Sequence, residues 1–209
     1  DIQGYLQAEL KQNFHVLVAD NGVKALEVLM SEEVSVVVSD VMMPEMNGFD
    51  LCRKIKSDIV LSHLPVMLLT ALSDDKQQMY GAASGADAYI QKPFNIEVVK
   101  LRIIKLLEDR ARLREAYARD ASSPAVSVKE EKAESMDDLF MNRFLKLIEE
   151  SYADPDFSIE KGSEKLGLSR VHLYRKVKEL AGVTPTDFLR NYRLKKAAAL
   201  LRRKAGNVN

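Results

Sequence analysis

The chain has 209 residues, 46% of them hydrophobic and 30% charged, with 31 Lys and Arg balancing 31 Asp and Glu. That length suits one large domain or two small ones, and the composition is that of a soluble globular protein. A single Cys52 excludes a disulfide framework within the chain and fits a reducing, cytoplasmic compartment. No apolar run approaches the roughly 18 to 20 residues that a membrane span needs.

The charge balance conceals an asymmetry. From Lys165 to Asn209 twelve Lys and Arg face only Glu179 and Asp187, a net of +10, which leaves residues 1–164 at −10. This split predicts two domains with different partners, the basic one a candidate for nucleic acid.

In chain order, the opening "DIQGYLQAELKQ" is polar and amphipathic and is not a signal peptide. The first half then alternates. "HVLVA" (15–19), "VSVVVS" (34–39), "PVMLLTA" (65–71) and "DAYIQKP" (87–93) read as short strands. Between them "GVKALEVLMSEE", "GFDLCRKIKSD" and "DDKQQMYGAASG" read as helices. Alternation of this kind predicts a parallel sheet covered on both faces. A helix from Asn95 carries Val98, Val99, Leu101, Ile104 and Leu107 as its apolar positions, and its charged continuation "EDRARLREAYARD" reads as an exposed extension.

Residues 121–135, "ASSPAVSVKEEKAES", have few large apolar side chains and read as a linker. After it the pattern is helical throughout. In "MDDLFMNRFLKLIEESY" the stripe is Leu139, Phe140, Phe144, Leu147 and Ile148. "SEKLGLSRVHLYRKVKEL" has helix-turn-helix spacing, with a turn at Gly167 and Ser169 as N-cap of the second helix. That helix carries Val171, Tyr174, Arg175 and Lys178 on one side, with Leu173, Val177 and Leu180 facing inward. A longer helix begins at "TPTDF".

In an open α/β sheet, ligands bind beyond the carboxyl ends of the strands. Three predicted strands end in Asp40, Thr70 and Lys92. Parallel strands would bring a carboxylate, a hydroxyl and an ammonium to one edge, a set suited to a transferable phosphoryl group. Asp40 would be the nucleophile, with Thr70 and Lys92 binding the phosphoryl oxygens. His15, His63 and His172 are scattered and resemble no metal spacing.

"SDVMMPEMNG", "LLTA" and "YIQKPF" together resemble the receiver domain of two-component response regulators, over residues 1–118. The resemblance implies a flavodoxin-like, doubly wound parallel sheet with strand order 2-1-3-4-5. It makes Asp40 the phosphoacceptor, Thr70 and Tyr89 the switch residues and Lys92 the phosphate-binding lysine. Magnesium is the implied cofactor, held by Asp40, the backbone carbonyl of Met42 and an acidic pair at the end of the family's first strand. That strand and pair have no counterpart in these 209 residues, so the chain is expected to be a fragment whose own residues leave the metal site incomplete.

Residues 137–209, after a linker at 119–136, resemble the first half of an AraC-type DNA-binding domain, an all-α helix-turn-helix unit expected to end before its second motif. The resemblance is carried by "SRVHLYRKVK". By position Val171, Tyr174 and Arg175 are the implied base readers, with Arg170, His172 and Lys178 beside them. Gly162 departs from the pattern, which has a buried aliphatic residue there, and predicts a loose helix.

A receiver joined to such a unit resembles the cytoplasmic end of hybrid two-component proteins, whose parent chain carries a sensor kinase anchored in the inner membrane; no kinase motif is present here, and a free-standing regulator fits equally. The reading is a phosphorylation-controlled transcriptional regulator, not itself an enzyme and without membrane contact. Its partners are a histidine kinase, promoter DNA and, where it dimerises, a second copy. The alternative is a phosphorylation-independent interaction module fused to a DNA-binding domain. An aspartate-based phosphohydrolase is disfavoured because Met42 stands where its second aspartate belongs.

Overall fold

The computed structural model describes residues 2–71, 84–120 and 135–205. The chain forms two compact units, Asp1–Ala111 and Arg112–Asn209. Nearly all of the helix expected over 74–85, and nearly all of the linker, lie outside the described residues.

The first unit opens with helix α1 (Ile2–Leu10), followed by α2 (Gly22–Ser31), β1 (Val37–Asp40), α3 (Gly48–Ser57), β2 (Val66–Thr70), β3 (Ala88–Gln91) and α4 (Ile96–Asp120). The last helix runs on past the boundary between the units. Asn21 and Asn47 start α2 and α3 by accepting the amide hydrogens of Lys24 and Asp50, donors that the first helical turn leaves without an intrahelical partner.

The three strands are parallel, in the order β1-β2-β3. β2 lies in the middle and all five of its residues are buried, which is why "VMLLT" carries no alternation. Met67, Leu69, Ala88 and Ile90 form one core with Leu10 of α1 and with Val99 and Ile103 of α4.

Two expectations require correction. The segment 15–19 lies in no ladder; Val16 packs against the core, whereas Leu17 and Val18 are exposed. A β-branched run becomes a strand only where a neighbour takes its backbone hydrogen bonds, and no described residue does so here. The buried face of α4 is also rotated from the predicted one. Val99 and Ile103 are buried, while Val98, Leu101 and Ile104 are exposed. No described helix is long and apolar enough to cross a membrane.

The second unit holds α5 (Met136–Ser151), α6 (Ile159–Leu166), α7 (Arg170–Ala181) and α8 (Pro185–Ala205). Ser135 and Asp138 cap α5 reciprocally. Ser158 and Ser169 start α6 and α7, and Gly167 ends α6 at φ +70°, a left-handed position that favours glycine. The core gathers Phe140, Phe144, Ile148, Leu173, Val177, Leu180 and Phe188, with the Phe144 and Phe188 rings edge to face at 5.2 Å. Met141 is buried with this set, while Leu139 of the expected stripe is 38% exposed.

Gly162 does not leave a gap. A Cβ there would stand 3.2 Å from the Phe157 ring and 3.4 Å from Leu147, so these side chains already occupy the space of the missing aliphatic residue. The expected looseness of α6 therefore has no packing basis.

Candidate functional site

The strand register brings the chemistry to one edge. Asp40 lies opposite Leu69, and Thr70 opposite Gln91, so Asp40, Thr70 and Lys92 all stand at the carboxyl ends of β1, β2 and β3. Backbone bonds fix the three ends: Val41 N donates to Leu69 O at 2.9 Å, and Lys92 N donates to Thr70 O at 2.8 Å.

Side chains complete the arrangement. Lys92 Nζ lies 2.5 Å from Asp40 Oδ2, and Met42 N donates to Asp40 Oδ1 at 3.1 Å. The Lys92 and Asp40 side chains are 19% and 29% exposed, so the pair is shielded yet reachable from solvent. Thr70 is fully buried. The Tyr89 hydroxyl lies 2.6 Å from Ser84 Oγ. Met42 is 80% exposed at the mouth of the loop.

That loop is tightly built. A Cβ on Gly48 would stand 2.3 Å from the Asp40 carbonyl oxygen, and Gly48 N donates to Val41 O at 2.9 Å. Only a glycine lets α3 begin this close to the end of β1. Glu45 takes a left-handed conformation, φ +61°, and accepts a hydrogen bond from Asn21 Nδ2 at 2.8 Å. Neither their type nor their separation of 24 positions signals a contact.

No group of three or more His, Cys, Asp or Glu side chains gathers as metal ligands among the described residues. Magnesium demands near-octahedral oxygen coordination. Asp40 and the Met42 carbonyl alone do not meet that demand, and Asp40 is already paired with Lys92.

Residues 2–104 match the model of the response regulator receiver domain. The chemotaxis protein CheY of Pseudomonas aeruginosa is 40% identical over 90 residues, which are 43% of this chain and 73% of that protein. The chain belongs to the response regulator receiver family. The receiver's similarity extends further in "Histidine kinase P4" of Formosa agariphila, 38% identical over 205 residues, 98% of this chain but 15% of that protein. The chain thus spans only a small part of that relative's length. Among solved structures, the receiver domain of a signal transduction histidine kinase from Syntrophus aciditrophicus is 29% identical, with a TM-score of 0.48, covering 62% of this chain and 87% of that one.

Beyond the receiver, the residues singled out on α7 differ in exposure. Val171 is 71% exposed and Lys178 is open to solvent. Arg170 pairs with Glu160 at 3.2 Å and lies over the Tyr174 ring at 5.3 Å. The Tyr174 hydroxyl meets Thr186 Oγ1 at 2.5 Å. His172 is half-buried, its backbone N–H taken by the Ser169 cap at 3.2 Å. Arg175 is also half-buried, with its Nε and Nη2 covered. Lys176, absent from the predicted set, is fully buried against Asp137 at 2.6 Å.

Proposed function

We propose that this chain is the output end of a two-component phosphorelay, a regulator that accepts a phosphoryl group on Asp40 from a histidine kinase and binds promoter DNA through α7. The observation that carries the reading is the Asp40–Lys92 pair at 2.5 Å, on a strand edge with Thr70 beside it.

In the transfer, an Asp40 carboxylate oxygen attacks phosphorus as the phosphohistidine N–P bond breaks. The imidazole nitrogen leaves with the electron pair and takes up a proton. Lys92 then exchanges the carboxylate for phosphoryl oxygens, and Thr70 donates to another. Tyr89, whose hydroxyl faces Ser84, follows Thr70 as the switch aromatic.

On α7, Arg170, Val171, His172 and Tyr174 would meet bases, with Lys178 on a phosphate; Arg175, its Nε and Nη2 covered, would have to turn outward to join them. The kinase-named relative spanning 98% of the chain supports one polypeptide holding both units, and thus a hybrid parent. The second reading is a phosphorylation-independent receiver module fused to a DNA-binding unit, which holds if the parent chain also lacks the acidic pair.

Incubation of the full-length protein with acetyl phosphate, followed by peptide mass mapping, separates the two. Label on Asp40, abolished by Asp40→Ala, is expected. Absence of label would establish the phosphate-independent module.

A further inference from the structure

The loop that follows Asp40 is held from outside by a residue of another helix. Asn21 is only 4% exposed, and its side chain serves two elements at once. Its Oδ1 accepts Lys24 N at 2.9 Å and so starts α2, while its Nδ2 donates to Glu45 Oε1 at 2.8 Å. Glu45 is the one non-glycine residue with positive φ among those described. A side chain in that region is strained unless its surroundings hold it.

Close packing brings the two elements together at the same place. A Cβ on Gly22 would stand 2.8 Å from Met46 Cγ and 2.9 Å from the Met46 carbonyl oxygen. The start of α2 therefore lies directly against residues 45 and 46. Lys24 pairs with Asp20 at 2.5 Å and also feels the charge of Glu45.

We infer that Asn21 is a positioning residue for the phosphoacceptor loop, acting through Glu45 to hold residues 41–47, and with them Asp40, in the geometry that receives a phosphoryl group. The inference rests on the proposed role of Asp40. Asn21 touches no reacting atom; it fixes the backbone that presents them.

The chemistry of the contact supplies its own control. Asn21→Asp keeps an N-cap of equal quality but sets a carboxylate against the Glu45 carboxylate. Glu45→Gln leaves a carbonyl oxygen for Asn21 to meet. In the double variant, the amide introduced at position 45 donates to the carboxylate introduced at position 21, restoring the link with its polarity reversed.

Phosphorylation of the full-length protein by acetyl phosphate should slow about fivefold in Asn21→Asp. It should remain near the parent rate in Glu45→Gln and recover to within about twofold in the double variant. The melting temperature without phosphodonor should fall in Asn21→Asp, where two carboxylates meet at a buried position, and recover in the double variant. Amide hydrogen exchange of residues 41–47 should quicken in Asn21→Asp and return in the double variant, whether or not the protein takes phosphate. An unchanged rate in Asn21→Asp, or a double variant as slow as the single, overturns the positioning role. Unchanged exchange across the loop overturns it equally. Failure of the parent protein to label would instead remove the phosphoacceptor reading and leave exchange to judge the link.

Discussion

The Asp40 carboxylate has two fixed partners, Lys92 Nζ on one oxygen and Met42 N on the other. Replacing Lys92 by Met keeps an unbranched stem and removes the charge that would follow the phosphoryl group. Acceptance from acetyl phosphate should fall roughly a hundredfold, as when one preorganised donor is removed from a transition state, while the circular dichroism spectrum stays unchanged.

Cys52 illustrates the opposite environment. Its Sγ donates to Ser84 O at 3.2 Å, and burial pushes the thiol up from 9.0 to about 11, against a smaller lowering by Lys56. Alkylation at pH 8 should be about a hundredfold slower in the folded protein than in urea, since two pH units separate the thiolate fractions. The native thiol keeps its proton where the unfolded chain loses it. Its contribution to stability is therefore present below pH 9 and is lost as pH rises toward 11. A urea midpoint that rose over that range would contradict the assignment.

At the scale of elements, the buried Lys176–Asp137 pair joins the middle of α7 to the first turn of α5. The Lys176 side chain is 0% exposed and that of Asp137 11% exposed, so neither charge is well hydrated. Truncating one partner leaves the other buried and uncompensated. Lys176→Met should cost about 3 kcal/mol in urea denaturation, and Lys176→Met with Asp137→Leu should recover most of it. Equal losses in both variants would show that the site does not accept apolar packing.

On α4 a helical period was legible, but its phase was not. Val98, Val99, Leu101, Ile104 and Leu107 are all apolar, and spacing alone admits more than one stripe through them. The sheet selects Val99 and Ile103, because their side chains join the core built on Met67, Leu69 and Ile90. In the same way "HVLVA" has strand composition, yet pairing is a property of two segments, and no described residue pairs with this one.

Across the whole molecule, charge is divided between the two ends of the chain. The net of +10 beyond Lys165 resides largely on α7 and α8. On the proposed reading, duplex binding is dominated by phosphate contacts. Affinity measured by fluorescence anisotropy should fall by roughly a thousandfold between about 50 and 200 mM salt if about six phosphates are engaged. Lys195→Ala should weaken target and scrambled DNA alike, whereas Val171→Ala should reduce only the preference between them. Salt-insensitive binding would exclude this electrostatic mode.

Much of the site was written in the residues themselves. Asp40, Thr70 and Lys92 each close a short apolar run, and such runs, alternating with helices, become parallel strands whose ends share an edge. Local chemistry likewise determined the caps at Ser135 and Ser169 and the left-handed end at Gly167. The contacts that surround and brace these residues required the tertiary structure. Asn21 meets Glu45 only because Gly22 lets α2 approach Met46. Lys176 is buried only because Asp137 comes to it from 39 positions away. Arg175, which periodicity placed on an open face, has its Nε and Nη2 covered by neighbouring packing. Periodicity constrains which side of an element a residue occupies; what lies opposite is decided by how the elements pack, and that information is distributed over the whole chain.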